Sequence, residues 1–252
     1  MAPVISDPIP TENNSPLALL QPQVTALGAI YAQCVADQET SLALVKAVNA
    51  ISAIERIVLP LDKSIEFPVY AQSMKELQLA LLSAATGNYR QAFTSLRLFF
   101  ELFLSGIEFS ASIRLFLGWK LGRENIVWNR LVDKEQGIFS KSFCGLFFED
   151  LVEETLQYRT MACTVFSECS QYVHGNPSST AKLPQSLMFQ RETVLEWALK
   201  LDTMHLVVSF AYASRYLMEL DDAQKEIVKH DLLDQLGTIE SVRLVLGGAA
   251  GG

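Results

Sequence analysis

The chain is constrained most by one stretch of aromatic and aliphatic residues. Between Asn88 and Ile107, Tyr89, Phe93, Leu96, Phe100, Phe103 and Ile107 recur at steps of three and four. That is the period of a single helix face. Further apolar residues flank the stripe, which predicts a helix buried on most of its circumference and extending toward Leu117. Such a helix needs neighbours on several sides. The rest of the sequence offers them as helices, and no clean period-two run suggests a strand. The expected fold class is therefore all-α, a bundle of long helices with short connecting helices.

Val24–Ile57 reads as one helix, with Leu42, Val45, Val48, Ile51 and Ile54 at helical spacing and Pro60 ending it. A second runs from Pro68, a good first-turn residue, to Ala85, with Gly87 as its stop. Trp119–Phe148 carries Gly118, Gly122, Gly137 and Gly145 near or within it and reads as short helices and turns. Phe148–Val173 is expected as one helix with Glu149, Asp150, Glu153 and Glu154 in its first turns, where the helix dipole favours them. Gly175, Asn176 and Pro177 stop it. A Ser/Pro-rich connection leads to a long apolar helix, Glu192–Leu220, and a shorter amphipathic one, Asp221–Leu236. Residues 1–22 hold five prolines and read as a flexible arm. Residues 23–246 form one helical domain, and 247–252 are a glycine-rich tail of linker composition.

Several function classes fall away. Net charge is −8, which opposes non-specific attachment to DNA or anionic lipid. The first basic residue is Lys46, so no targeting leader is expected. Arg97, Glu101 and Glu108 interrupt the apolar run Leu96–Phe109, and Thr203–Met218 is short for a bilayer and contains His205 and Arg215, so no membrane span is expected. Cys34, Cys144, Cys163 and Cys169 form no C-x-x-C and read as reduced thiols of a cytoplasmic protein. Phosphate-binding, dinucleotide and zinc-hydrolase motifs are missing, as is the G-x-S-x-G elbow. No cofactor and no metal are expected.

Polar residues on the apolar helices carry the candidate chemistry. At about 100° per residue, Arg90, Arg97, Glu101 and Glu108 fall on nearly one line of the third helix. Arg97 and Glu101 are also an i,i+4 pair. The line is either a solvent-facing edge or a polar seam facing a cleft, and in the second case it meets the carboxyl end of Phe148–Val173. His174, which closes that helix, is either a cap on the last carbonyls or a proton-transfer or phosphate-contacting group. Glu226, His230 and Asp234 share a face at i, i+4 and i+8 and read as a solvated face rather than a metal site. His205, inside an apolar helix, reads as a satisfied core histidine. Over 88–141, eight basic residues against five acidic ones give +3, with Trp119 and Trp128 interleaved. That pattern admits RNA as a partner through phosphate contacts and stacking, although tryptophans in a helical connector also serve as core plugs.

The run Leu96-Arg97-Leu98-Phe99-Phe100-Glu101 resembles the Leu-Arg-x-x-x-Glu segment of HEPN-like bacterial helical proteins. Ser170-Gln171-Tyr172-Val173-His174-Gly175 resembles their terminal histidine segment, and the likeness covers roughly 88–220. It implies a HEPN-like up-down bundle, commonly dimeric, in a superfamily that holds both ribonucleases and inactive binding modules. The ribonuclease pattern separates an Arg from a His by four to six residues. Here Cys169, Glu168 and Ser167 occupy those positions ahead of His174. The expected function is accordingly a non-catalytic interaction protein of a bacterial defence or toxin–antitoxin type system, partnered by itself as a homodimer or by another protein. The alternative is a diverged metal-independent ribonuclease using Arg97, Glu101 and His174.

Overall fold

The structure, a computed structural model, describes Ala18 and residues 20–248. Among these residues there is no strand, and the chain is a bundle of α-helices. The remainder of the proline-rich arm and residues 249–252 of the expected tail lie outside the described residues. Gln21 and Pro22, expected in the arm, instead form the first turn of a helix, with the proline at a position whose missing N–H costs nothing.

The expected helix over 24–57 is two helices, α1 (Gln21–Ala36) and α2 (Gln38–Val58). Asp37 breaks them. Its ψ of 123° leaves the helical region, and its carboxylate accepts the Thr40 N–H at 3.0 Å as an N-cap. Thr40 then donates its hydroxyl back to Cys34 O at 2.7 Å, tying the two helix ends together. Pro60 ends α2 in a single 3-10 turn, Leu59–Leu61. Helix α3 (Phe67–Ala85) follows the reading closely, and Gly87, at φ +81°, reverses the chain into α4 (Tyr89–Ala111).

Helix α4 is the buried axis that its stripe predicts. Phe93, Leu96, Phe99, Phe100, Phe103, Leu104 and Ile107 are fully shielded from solvent. It packs against α3, α8 (Thr155–Val173) and α10 (Arg191–Tyr216). Ser112 breaks the expected extension, and α5 (Ile113–Lys120) turns away. The glycine-rich connector supplies the short helices α6 (Trp128–Leu131) and α7 (Lys141–Phe147). The Trp128 ring stacks on Phe166 at 3.5 Å, and Trp119 packs beside Phe109 and Phe116. Both tryptophans serve the core.

The expected helix from Phe148 starts as a 3-10 segment, Glu149–Glu154, which becomes α8 only at Thr155. Gly175, at φ +65°, ends it, and a single turn, α9 (Pro177–Thr180), follows. Helix α10 is covered nearly all round from Met204 to Tyr216 and packs against α2, α4, α8 and α11 (Asp222–Leu236). Asp221 and Gln224 form a reciprocal capping box at the start of α11. A last short helix, α12 (Glu240–Val245), was not expected. No described helix is long and apolar enough to cross a membrane. The four cysteines are free thiols, three of them buried.

Candidate functional site

Helices α4 and α8 meet along a polar seam inside the apolar bundle. Arg90 opens it. Its Nε donates to Tyr172 O at 3.1 Å and its Nη2 to Val173 O at 3.2 Å. Those are the last carbonyls of α8, which have no partner within their own helix and carry the negative end of its dipole. The next polar residue on the same line of α4 is Arg97. Its Nε donates to Ser170 Oγ at 2.9 Å, its Nη1 donates to Glu101 Oε2 at 3.2 Å, and its guanidinium lies 4.3 Å over the Phe166 ring. Ser170 is itself fixed by donating to Phe166 O at 2.7 Å.

Glu101 is largely covered, and burial raises its carboxyl above the usual range even though the Arg97 charge and hydrogen bond oppose the shift. Glu108, at the far end of the line, accepts two hydrogen bonds from Arg130 of α6, at 2.6 and 3.0 Å. The line therefore faces α8 and α6 and is not an open edge. Its charges are partnered one by one, as desolvated charges must be.

His174 ends the seam. Its backbone N–H donates to Ser170 O at 3.1 Å, and its side chain is exposed. Arg97, Glu101 and Ser170 thus converge, while the imidazole stands on the solvent side one turn beyond Ser170. Arg90 has already taken the terminal carbonyls that a capping histidine would contact.

A second polar group on the other side of α8 escaped the sequence reading. Lys200 of α10 donates to Glu168 Oε2 at 2.8 Å and lies 3.4 Å from Glu196. Burial opposes its charge, but the two carboxylates outweigh burial and hold its pKa above the ordinary value. Tyr172 donates to Glu196 at 3.1 Å and stacks on Phe93 at 4.0 Å, which links this group to the seam. Cys169, between the two, is pushed up to about 12 by burial and is an inert thiol at neutral pH. The spacing of Glu196 and Lys200 at i,i+4 was the available signal; the partner Glu168 on another helix was not legible.

The other candidate histidines belong together. His205, His230, Asp231 and Asp234 line one cleft between α2, α10 and α11. Glu226 does not join them; it pairs with Lys229 at 3.4 Å on the open face. Among the described residues, no three histidines, cysteines or carboxylates are arranged to hold a metal ion. His205 corrects the sequence reading: it is buried, but its Nε2 has no hydrogen-bond partner among the described residues. Comparison of the chain with family models, with curated proteins and with solved structures finds no match.

Proposed function

We propose that this chain is a non-catalytic helical interaction protein that pairs with a second copy of itself. The observation that carries this reading is the outer face of α10. Leu199 is 66% exposed and forms a ridge with a groove on each side. One groove, of about 320 Å³, runs along α8 past Met161 and Thr164. The other, of about 310 Å³, runs along α2 past Leu42 and Ala43. Leu42 and Leu156, on the flanking helices, are also more than half exposed. A ridge beside a groove is self-complementary about a two-fold axis, because each copy can lay its ridge in the groove of the other.

The four arginine and glutamate residues on α4 support the same assignment. Arg90, Arg97 and Glu108 join α4 to its neighbours and Glu101 holds Arg97, a structural use of the charges that a catalytic reading would claim. The resemblance to HEPN-like proteins adds a bacterial defence or toxin–antitoxin type setting, and buried thiols are in keeping with a cytoplasmic one. Sedimentation of the purified chain at micromolar concentration tests the proposal. The expected result is a dimer whose melting temperature rises with concentration, converted by Leu199→Glu to a monomer that keeps its helical circular dichroism and melts independently of concentration. A wild-type monomer would overturn it.

One observation favours a second reading, a diverged ribonuclease: Arg97 is anchored to Ser170, a single turn from His174. His174→Ala separates the two. The side chain is exposed, so its loss leaves folding intact, and only a ribonuclease would lose RNA cleavage.

A further inference from the structure

The ridge that Leu199 forms on α10 has two unequal sides. In the groove along α8 the charges are already matched within the chain, since Lys200 donates to Glu168 at 2.8 Å. Two of its hydroxyls are spent as well, Thr160 on Leu156 O at 2.8 Å and Thr203 on Leu199 O at 3.1 Å. In the groove along α2, Leu42, Ala43, Leu195 and Ala198 make an apolar floor, and the two alanines leave room for a bulkier side chain from outside. Glu39 and Lys46 also line this groove. Both are exposed, and neither is held in an ion pair among the described residues.

The placement of those two charges follows from the helix. Seven residues carry the chain about 10 Å along α2 and return it to nearly the same face, so Glu39 and Lys46 flank Leu42 and Ala43, one at each end. Helices α2 and α10 run in the same direction. Arg191, the first residue of α10, pairs with Asp37, the N-cap of α2, and further along both helices Lys46 lies near Asp202. Leu199 falls between these two ties, beside Leu42 and Ala43 in the wall of the groove.

A two-fold axis at that level sets the helices of a second copy antiparallel to those of the first. Glu39 of one copy then faces Lys46 of the other, and the exchange occurs twice, as an isologous contact requires. Lys46 comes to lie between Asp202 of its own chain and Glu39 of the second copy. The α8 groove offers no such reciprocal pair, because its cation and carboxylate are closed on each other. Given the self-pairing proposed above, on which the placement depends, we infer that two copies meet across the α2 side of the ridge: Leu199 of each enters the groove beside Leu42 and Ala43 of the other, and Glu39 of each pairs with Lys46 of the other.

Sedimentation of the full chain at low salt, where exposed charges are least screened, tests the placement by charge exchange. Glu39→Lys and Lys46→Glu each turn both cross-copy pairs into like-charge pairs. Each is expected to raise the dissociation constant of the dimer by about tenfold or more while the helical circular dichroism stays unchanged. An equimolar mixture of the two single variants restores both pairs in a mixed dimer, and so does the double variant with itself. Both are expected to return to within about threefold of the wild-type constant. Recovery on mixing cannot come from chains that fail to fold. Thr164→Glu, at an exposed position in the α8 groove, is expected to leave the dimer as it is. The placement is overturned, and the self-pairing stands, if the wild type is a dimer that neither single reversal weakens, or if the mixture stays as weak as its components. It is overturned in the same way if Thr164→Glu dissociates the dimer and Lys46→Glu does not. A wild-type monomer overturns the self-pairing itself and the placement with it.

Discussion

Arg97 Nε donates to Ser170 Oγ at 2.9 Å, so a residue that an isolated helix would send into water instead joins α4 to α8. The same guanidinium holds Glu101, whose side chain is only 14% exposed. Removing one partner of such a pair leaves the other desolvated and alone. Arg97→Ala is expected to cost about 2–4 kcal/mol in urea denaturation, more than an exposed ion pair returns. Glu101→Gln made on top of it should recover part of that loss. Arg97→Lys should not restore wild-type stability, because an ammonium cannot reach Ser170 and Glu101 while also lying flat on Phe166.

His205 and Glu101 make opposite contributions to the pH dependence of stability. The native His205 titrates near 4, against an ordinary value of 6.5. Above pH 6.5 the ring is neutral both folded and unfolded. As pH falls from 6.5 toward 4, only the unfolded chain takes up the proton, and stability drops by roughly 3 kcal/mol in total. Glu101 binds its proton more tightly when folded, so its contribution is largest in acid and declines as pH rises from about 4.5. Melting temperatures recorded between pH 4 and 8 should therefore show a loss on the acid side that His205→Leu flattens. The same variant should be no less stable than wild type at neutral pH, since it removes an unsatisfied nitrogen.

The helical fold was legible wherever a pattern was local. The α4 stripe repeats at every turn from Tyr89 to Ile107, and the Gly87 and Gly175 stops lie beside the helix ends they close. The break at Asp37 was missed because the apolar period runs across it; the signal was an aspartate three residues before a threonine, a cap spacing that periodicity does not register. The line from Arg90 to Glu108 was visible on a helical projection, but which neighbour it faced depended on packing against α8. His205 was legible as buried and not as unsatisfied, because its surroundings come from α2 and α11, far away along the chain.

Glycines separate two kinds of constraint. A Cβ at Gly106 would lie 2.6 Å from the ring of Tyr70. That ring cannot retreat: it is fully buried, and its hydroxyl lies 3.0 Å from that of Tyr216, which in turn donates to the buried Glu66 at 2.8 Å. Gly106→Ala should cost about 1–3 kcal/mol. At Gly28 in α1 an added Cβ meets nothing within 4 Å. There the helix propensity of alanine decides, and Gly28→Ala should stabilise the chain by about 0.5–1 kcal/mol. Both shifts can be read from chemical denaturation midpoints at constant slope.

The clamp between α2 and α11 should respond asymmetrically to the loss of its two ends. Arg56 is about half exposed, whereas Asp231 is 5% exposed, and they share two parallel hydrogen bonds. Arg56→Ala strands a buried carboxylate, because its remaining neighbour, His230, lies 3.7 Å away, too far for a hydrogen bond. That variant is expected to lose about 2–4 kcal/mol. Asp231→Ala instead releases an arginine that turns into water, and should cost about 1 kcal/mol, the worth of the hydrogen bonds alone. The double variant should then be more stable than Arg56→Ala by itself. Denaturation of the two single variants and the double closes the cycle, and equal costs for the two single changes would mean that the Asp231 carboxylate is hydrated when Arg56 is gone.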